Sequence, residues 1–265
     1  ALAIMEKARG PEHPSAAGSL SNLALLYHYR GDYEKAEPLY QRALTIVEKA
    51  LGPEHPNVAI SLHNLALLYS DRGEYENAEP VYQRALTIRE KLLGPEQPFF
   101  AGSLDNLAVL YYHRGEYEKA EPLHQRALAI REKALGPEHP DVALSLSNLA
   151  DLLRVRGAYA EAETLHQRAL AIREKSLGPE HPDVAGSLDS LAELYLSKND
   201  IAQAITVKAR ATAITERNLK LNLGASSERQ ILAYLATLAK QTDQTLTLHL
   251  HYAPHDPLAR SLAAT

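Results

Sequence analysis

Apolar residues return along this chain at spacings of three and four, interrupted by glycine at regular intervals. Between residues 57 and 72, Val58, Leu62, Leu65, Ala66, Leu68 and Tyr69 fall on one face of a helix. Gly73 ends that stretch, as glycine does at a helix C-terminus. From 74 to 93 a second stripe follows: Tyr75, Ala78, Val81, Tyr82, Ala85, Leu86, Ile88 and Leu92. It predicts a second amphipathic helix. Gly-Pro-Glu-Gln-Pro comes next, and the pattern begins again.

The recurrence has a fixed length. Gly10, Gly52, Gly94, Gly136 and Gly178 are spaced 42 residues apart, a period that predicts stacked copies of one helix pair. Alanine recurs at 24, 66, 108, 150 and 192 in the first helices. It recurs at 36, 78, 120, 162 and 204, and at 43, 85, 127, 169 and 211, in the second helices. Small residues at fixed points let helix axes approach to about 8–10 Å. One pair cannot bury its own apolar face, but stacked pairs can. The expected fold is therefore all-α. Residues 1–9, Ala-Leu-Ala-Ile-Met-Glu-Lys-Ala-Arg, align with Ala43–Leu51 and read as the end of a truncated upstream repeat. Residues 10–219 hold five pairs. The fifth is degenerate, with Asn199 for glycine, Ile201 for tyrosine and Ile205 for glutamate.

Residues 220–265 leave the period and read as a C-terminal cap or junction. A helix capped by Ser226 or Ser227 would present Ile231, Leu232, Leu235 and Leu238 on one face. Residues 245–252 alternate apolar and polar, which suits a strand, but a lone strand beside helices has no partner, and helix is the preferred reading.

Composition removes several function classes. The chain has 265 residues and no cysteine, so no disulfide, thiol nucleophile, iron–sulfur cluster or cysteine-ligated zinc is expected. A net charge of −5 gives no footprint for nucleic acid. No apolar run reaches the length of a membrane span, and the opening residues do not form a signal peptide. A cytoplasmic location is expected. No phosphate loop, nucleophile elbow or His-Glu-x-x-His motif is present, so neither catalysis nor a cofactor is expected.

Gly-Pro-Glu-His-Pro brings an acid and a histidine to four connectors, with His13, His55, His139 and His181. Equivalent residues of stacked pairs stand about 10 Å apart, too far to share a metal bound at about 2 Å. The motif reads as punctuation instead. Glycine ends one helix, and the second proline opens the next. Asn57, Asp141 and Asp183 are the expected caps or dipole partners at those starts. Gln97 replaces the histidine in the third unit, so the imidazole reads as dispensable to the frame. His249, His251 and His255 form a second cluster and read as ordinary histidines. Pro38, Pro80 and Pro122 lie inside second helices and suggest a modest bend there.

Leu-Ala-x-x-Tyr, then Gly, Tyr, Ala, Tyr and Ala resembles the tetratricopeptide repeat (TPR). The 42-residue form, with its Gly-Pro-Glu-His-Pro connector, is similar to the repeats of kinesin light chain. The resemblance spans residues 1–219 and implies a right-handed α-solenoid of antiparallel helix pairs, the TPR superhelix. The tail "NLGASSERQILAYLATLAK" is similar to the segment joining bacterial TPR arrays to caspase-like CHAT domains. A CHAT protease needs a His–Cys pair, so such a domain would lie beyond Thr265.

The TPR resemblance also places a groove. Asn22, Asn64, Asn106 and Asn148 precede the Leu-Ala of four first helices. The amides either bond between repeats or, as the resemblance implies, line a concave face and hold a peptide backbone, since an amide donates and accepts. Varied neighbours would read side chains: Ser21, Leu25, His28 and Tyr29; His63, Leu67, Ser70 and Asp71; Asp105, Val109, Tyr112 and His113; Ser147, Asp151 and Arg154; Asp189 and Glu193. The first half of this face is apolar and aromatic, the second acidic. A segment with apolar side chains at one end and a basic residue at the other is the expected ligand. The lysine-rich clamp of some TPR domains is absent. The expected partners are a protein or peptide, a downstream domain of the same polypeptide, or a second copy meeting at exposed repeat ends.

Overall fold

The computed structural model describes residue 10 and residues 12–94 and 97–223. The expectations for residues 1–9, for the helix after Ser227 and for 245–252 lie outside the described residues. Ten helices occur among the described residues and no strand. They are α1 Pro14–Tyr29, α2 Tyr33–Leu51, α3 Pro56–Asp71, α4 Tyr75–Leu93, α5 Pro98–His113, α6 Tyr117–Leu135, α7 Pro140–Val155, α8 Tyr159–Leu177, α9 Pro182–Ser197 and α10 Ile201–Leu223. Both helices expected in the second repeat, 57–72 and 74–93, are present with boundaries shifted by a residue.

The chain divides into two units, residues 1–135 and 136–265. In the first unit α1 packs on α2, α3 on α4 and α5 on α6, and the second helix of each pair packs on the first helix of the next. Ala17, Leu20, Ile46, Val58, Ala59, Leu62 and Ile88 form one continuous cluster across α1 to α4. Phe100, Ala101, Leu104, Ala127 and Ile130 form its counterpart in α5 and α6. The second unit repeats the arrangement, with α7 on α8, α8 on α9 and α9 on α10. Its core includes Val184, Ala185, Leu188, Ala211 and Ile214. All fifteen alanines of the three registers are at most 3% exposed. A larger side chain at any of them would overpack the contact, at about 1–3 kcal/mol.

The connectors explain where helices stop. Gly52 sits at φ 88°, ψ 156°, a region essentially closed to other residues. A Cβ there would meet nothing within 4 Å, so the demand for glycine is conformational and not steric. Gly73 closes the other turn at φ 76°. The fifth repeat has Asn199 at that second position, at φ 59°, because asparagine tolerates the left-handed helical region.

The connectors also explain where helices start, and one expectation fails here. The N-caps of α1, α3, α7 and α9 are His13, His55, His139 and His181 themselves. Each imidazole Nδ1 accepts a backbone N–H two residues on: Ser15 at 3.2 Å, Asn57 at 3.1 Å, Asp141 at 3.2 Å and Asp183 at 3.1 Å. Asn57, Asp141 and Asp183 are not the caps but supply the N–H groups that are capped, while Asp141 and Asp183 hold the dipole-favouring place in the first turn. Gln97 makes no such bond at the start of α5. The connector glutamates are occupied too: Glu12 with Lys49, Glu54 with Lys91 and Glu138 with Lys175, at 3.0, 2.5 and 3.0 Å. These pairs are exposed and contribute little each. The acid and the histidine of the connector therefore have structural work, as the spacing argument requires.

Candidate functional site

The first helices carry the asparagine register, and the two units place it separately. In the first unit Asn22 is exposed, and Asn64 and Asn106 are half-buried. Asn106 Nδ2 lies 3.5 Å from His63 Nε2. The amides of Asn22 and Asn64 have no side-chain hydrogen bond among the described residues, and in the second unit neither does that of Asn148. An inter-repeat bond thus accounts for one of the four asparagines.

Around them in the first unit stand apolar and aromatic side chains. Leu25 is 36% exposed, Val109 37% and Tyr29 82%, while Leu67 is half-buried. The His113 ring stacks on Tyr75 at 6.1 Å, and Tyr112 tilts against Tyr117 at 5.7 Å. His63 packs edge-on to Tyr82 at 5.9 Å. Burial, reinforced by the Arg89 guanidinium, pushes the His63 imidazole down to about 4, so it is neutral at physiological pH. Arg89 itself donates to Ser103 Oγ.

Three expected surface readers are buried instead, Ser147 among them at 9% exposed. His28 is 7% exposed. Its Nε2 lies 2.6 Å from Asp71 Oδ2, and Tyr33 and Tyr40 close over its ring edge-on. Asp105 is 4% exposed and bonds His124 Nδ1 at 2.8 Å and the Arg131 guanidinium. A carboxylate dissatisfied inside the core would be costly, and these two donors satisfy it.

The acidic half of the face is largely balanced from within. In the second unit Asp189 accepts from Lys208 Nζ at 2.8 Å. Glu193 lies 3.3 Å from Arg154, and Asp151 lies 3.5 Å from His166. The expectation of an acidic surface seeking a basic residue is corrected to that extent. Between the first turns of α7 and α9 and the later turns of α8 lies a cavity of about 490 Å³. Pro140, Leu144, Leu177 and Gly186 are among its walls, and Arg173 lies on it. Sequence reasoning concentrated on first helices and missed Arg173. The signal was present, because Arg89, Arg131 and Arg173 recur one period apart where Val47 stands in the first repeat.

No group of three or more histidine or acidic side chains that could hold a metal occurs among the described residues. No helix among them is long and apolar enough to cross a membrane.

Family models described as tetratricopeptide repeat match residues 1–49, 15–91 and 143–217, and another of the same description matches 100–141. The chain belongs to the tetratricopeptide repeat family. A crystal structure of nearly identical TPR-like repeats of a kinesin light chain from Podosopora anserina is 30% identical. It matches with a TM-score of 0.67 over 78% of this chain and 98% of that one. The BtubC (BKLC) structure from P. vanneervenii is 26% identical, with a TM-score of 0.69 over 85% of this chain and 88% of that one. None of the curated proteins compared with the chain matches it. TPR arrays are in general scaffolds for protein–protein contact, and the stacked helix pairs here are that architecture.

Proposed function

We propose that this TPR chain is a non-catalytic scaffold that holds an extended protein segment against the asparagine-bearing faces of its first helices. The carrying observation is the register of amides at Asn22, Asn64 and Asn148, which have no internal side-chain partner among the described residues. Asparagine is a mediocre helix former, and no side-chain hydrogen bond among the described residues holds it at those positions. A peptide backbone offers the donor and acceptor that such an amide lacks. Leu25, Tyr29, Leu67 and Val109 supply apolar contact beside the amides of the first unit.

The test is selection of ligands from a random displayed peptide library on the wild-type chain, followed by Asn22→Ala with Asn64→Ala. Binding is expected to weaken by about tenfold or more, since each lost hydrogen bond is worth about 1 kcal/mol, with circular dichroism unchanged. Equal binding by the folded double variant would sink the proposal.

A further inference from the structure

Three buried or half-buried arginines occupy one register of the second helices, and each meets a different residue on the preceding first helix. Arg89 lies near His63, which is neutral. Arg131 meets Asp105, which also bonds His124. Arg173 meets Ser147. Its Nη1 donates to Ser147 Oγ at 3.0 Å and to Ser187 Oγ at 2.5 Å. Among the described residues no carboxylate lies within ion-pair distance of Arg173. A guanidinium has five N–H donors, so two hydroxyls leave it under-used. Burial pushes its pKa below the ordinary value, while Asp183 and Asp151 act at longer range to hold it charged.

The surroundings are open at this point. The cavity on which Arg173 lies has a volume of about 490 Å³, within the range of about 300–1,000 Å³ typical of ligand sites. Gly186 contributes no side chain, and a Cβ there would meet nothing within 4 Å. Asp141 and Asp183 also line the cavity, with side chains 59% and 64% exposed. Each sits 3.9 or 3.7 Å from the Nδ1 of a capping histidine. That nitrogen already accepts a backbone N–H, so it offers these carboxylates no proton. The site thus has a cation without a close counter-charge and two exposed anions without a cationic partner.

We infer that this cavity receives a side-chain carboxylate of the bound segment on Arg173, with a neighbouring basic residue of the same segment lying on Asp141 and Asp183. The inference rests on the groove reading above and names the ligand chemistry at one point of it. The carboxylate occupies for Arg173 the place that Asp105 holds for Arg131. A charge-assisted bond to a poorly solvated guanidinium is about twice as strong as a neutral one.

The probe is a pair of terminally blocked peptides that differ only in Glu against Gln before a Lys. They are titrated into the full chain with the Arg173 Nε–Hε resonance as readout. The Glu peptide is expected to shift that resonance and to bind about tenfold more tightly than the Gln peptide. Ser147→Asp supplies the internal carboxylate that Asp105 models, so it should stay folded and lose the preference for Glu. Arg173→Gln should lose it as well. Equal affinity for the two peptides, or a preference that survives Ser147→Asp, overturns the inference. If neither peptide perturbs Arg173 while library-selected ligands still need Asn148, the inference alone falls. A library that yields no ligand at all overturns the groove reading with it.

Discussion

At the scale of single residues, two of the jobs that histidine does in this chain depend on its being unprotonated at one nitrogen. The connector histidines cap helices by accepting at Nδ1, which a protonated ring cannot do. Gln97 is the natural comparison, since its helix starts without that bond. Gln97→His should therefore raise the free energy of unfolding, and His55→Gln should lower it, each by about 1 kcal/mol. Urea unfolding measures both, and equal midpoints for all three chains would remove the cap from the account. His63 is a separate case. Its folded value of about 4 lies below the ordinary 6.5. As pH falls through that window the unfolded chain takes up a proton that the folded chain refuses, so stability is full above about 6.5 and declines toward 4. The decline is at most about 3 kcal/mol. His63→Phe keeps the ring beside Tyr82 and should flatten the stability-against-pH profile. The four caps are common to both chains, so the difference between the two profiles isolates His63.

At the scale of elements, the repeats are joined by a bracket that recurs with the period. Glu37 on α2 accepts from Tyr69 Oη at 3.0 Å and from Arg72 at 2.6 Å, reaching across to α3. Glu79 on α4 does the same with Tyr111, at 2.8 Å, and Arg114. Glu163 on α8 binds Tyr195 at 3.0 Å and Lys198 at 2.5 Å. Ile205 in the fifth repeat cannot continue the series. Glu79→Ala should leave Tyr111 and Arg114 short of an acceptor and cost about 1–3 kcal/mol. Glu79→Gln, which still accepts, should cost less. Thermal unfolding distinguishes them, and identical losses would point to packing alone. The helices and their stacking were legible in the sequence because alanine, leucine and glycine registers follow from local periodicity. The brackets were not, because each joins residues more than thirty positions apart through side-chain geometry. For the same reason Asp105 looked like a surface acid until His124 and Arg131 were seen to enclose it. The asparagine register was legible, but whether its amides were already bonded was not.

At the scale of the whole molecule, the period makes a specific operation possible within the first unit: removal of residues 52–93, one whole repeat. The chain then runs from Leu51 into Gly94, a connector of the same type. Glu37 would face Tyr111 and Arg114 in place of Tyr69 and Arg72, residues of the same kind. Ile46 and Val47 would meet Phe100, Ala101 and Leu104 in place of Val58, Ala59 and Leu62. The exchanged contacts keep their chemistry except at His28, which would face His113 in place of Asp71, and Phe100 for Val58 is the largest change of volume, a mismatch of the kind that costs about 1–3 kcal/mol. Stability in such arrays is a sum of repeat and neighbour terms, so the shortened chain should fold with unchanged helical signal per residue. Its urea midpoint should fall, and its denaturant slope should fall by about one sixth, the share of the chain removed. Removal of residues 52–72 alone is the opposing case. It would set α4 directly after α2, with no first helix to receive Ile46 and Val47, and Glu37 would lose Tyr69 and Arg72 with no replacement in register. That chain should lose helical signal well beyond the residues deleted. If both deletions behave alike under circular dichroism and urea, pairwise stacking is not what holds the array together.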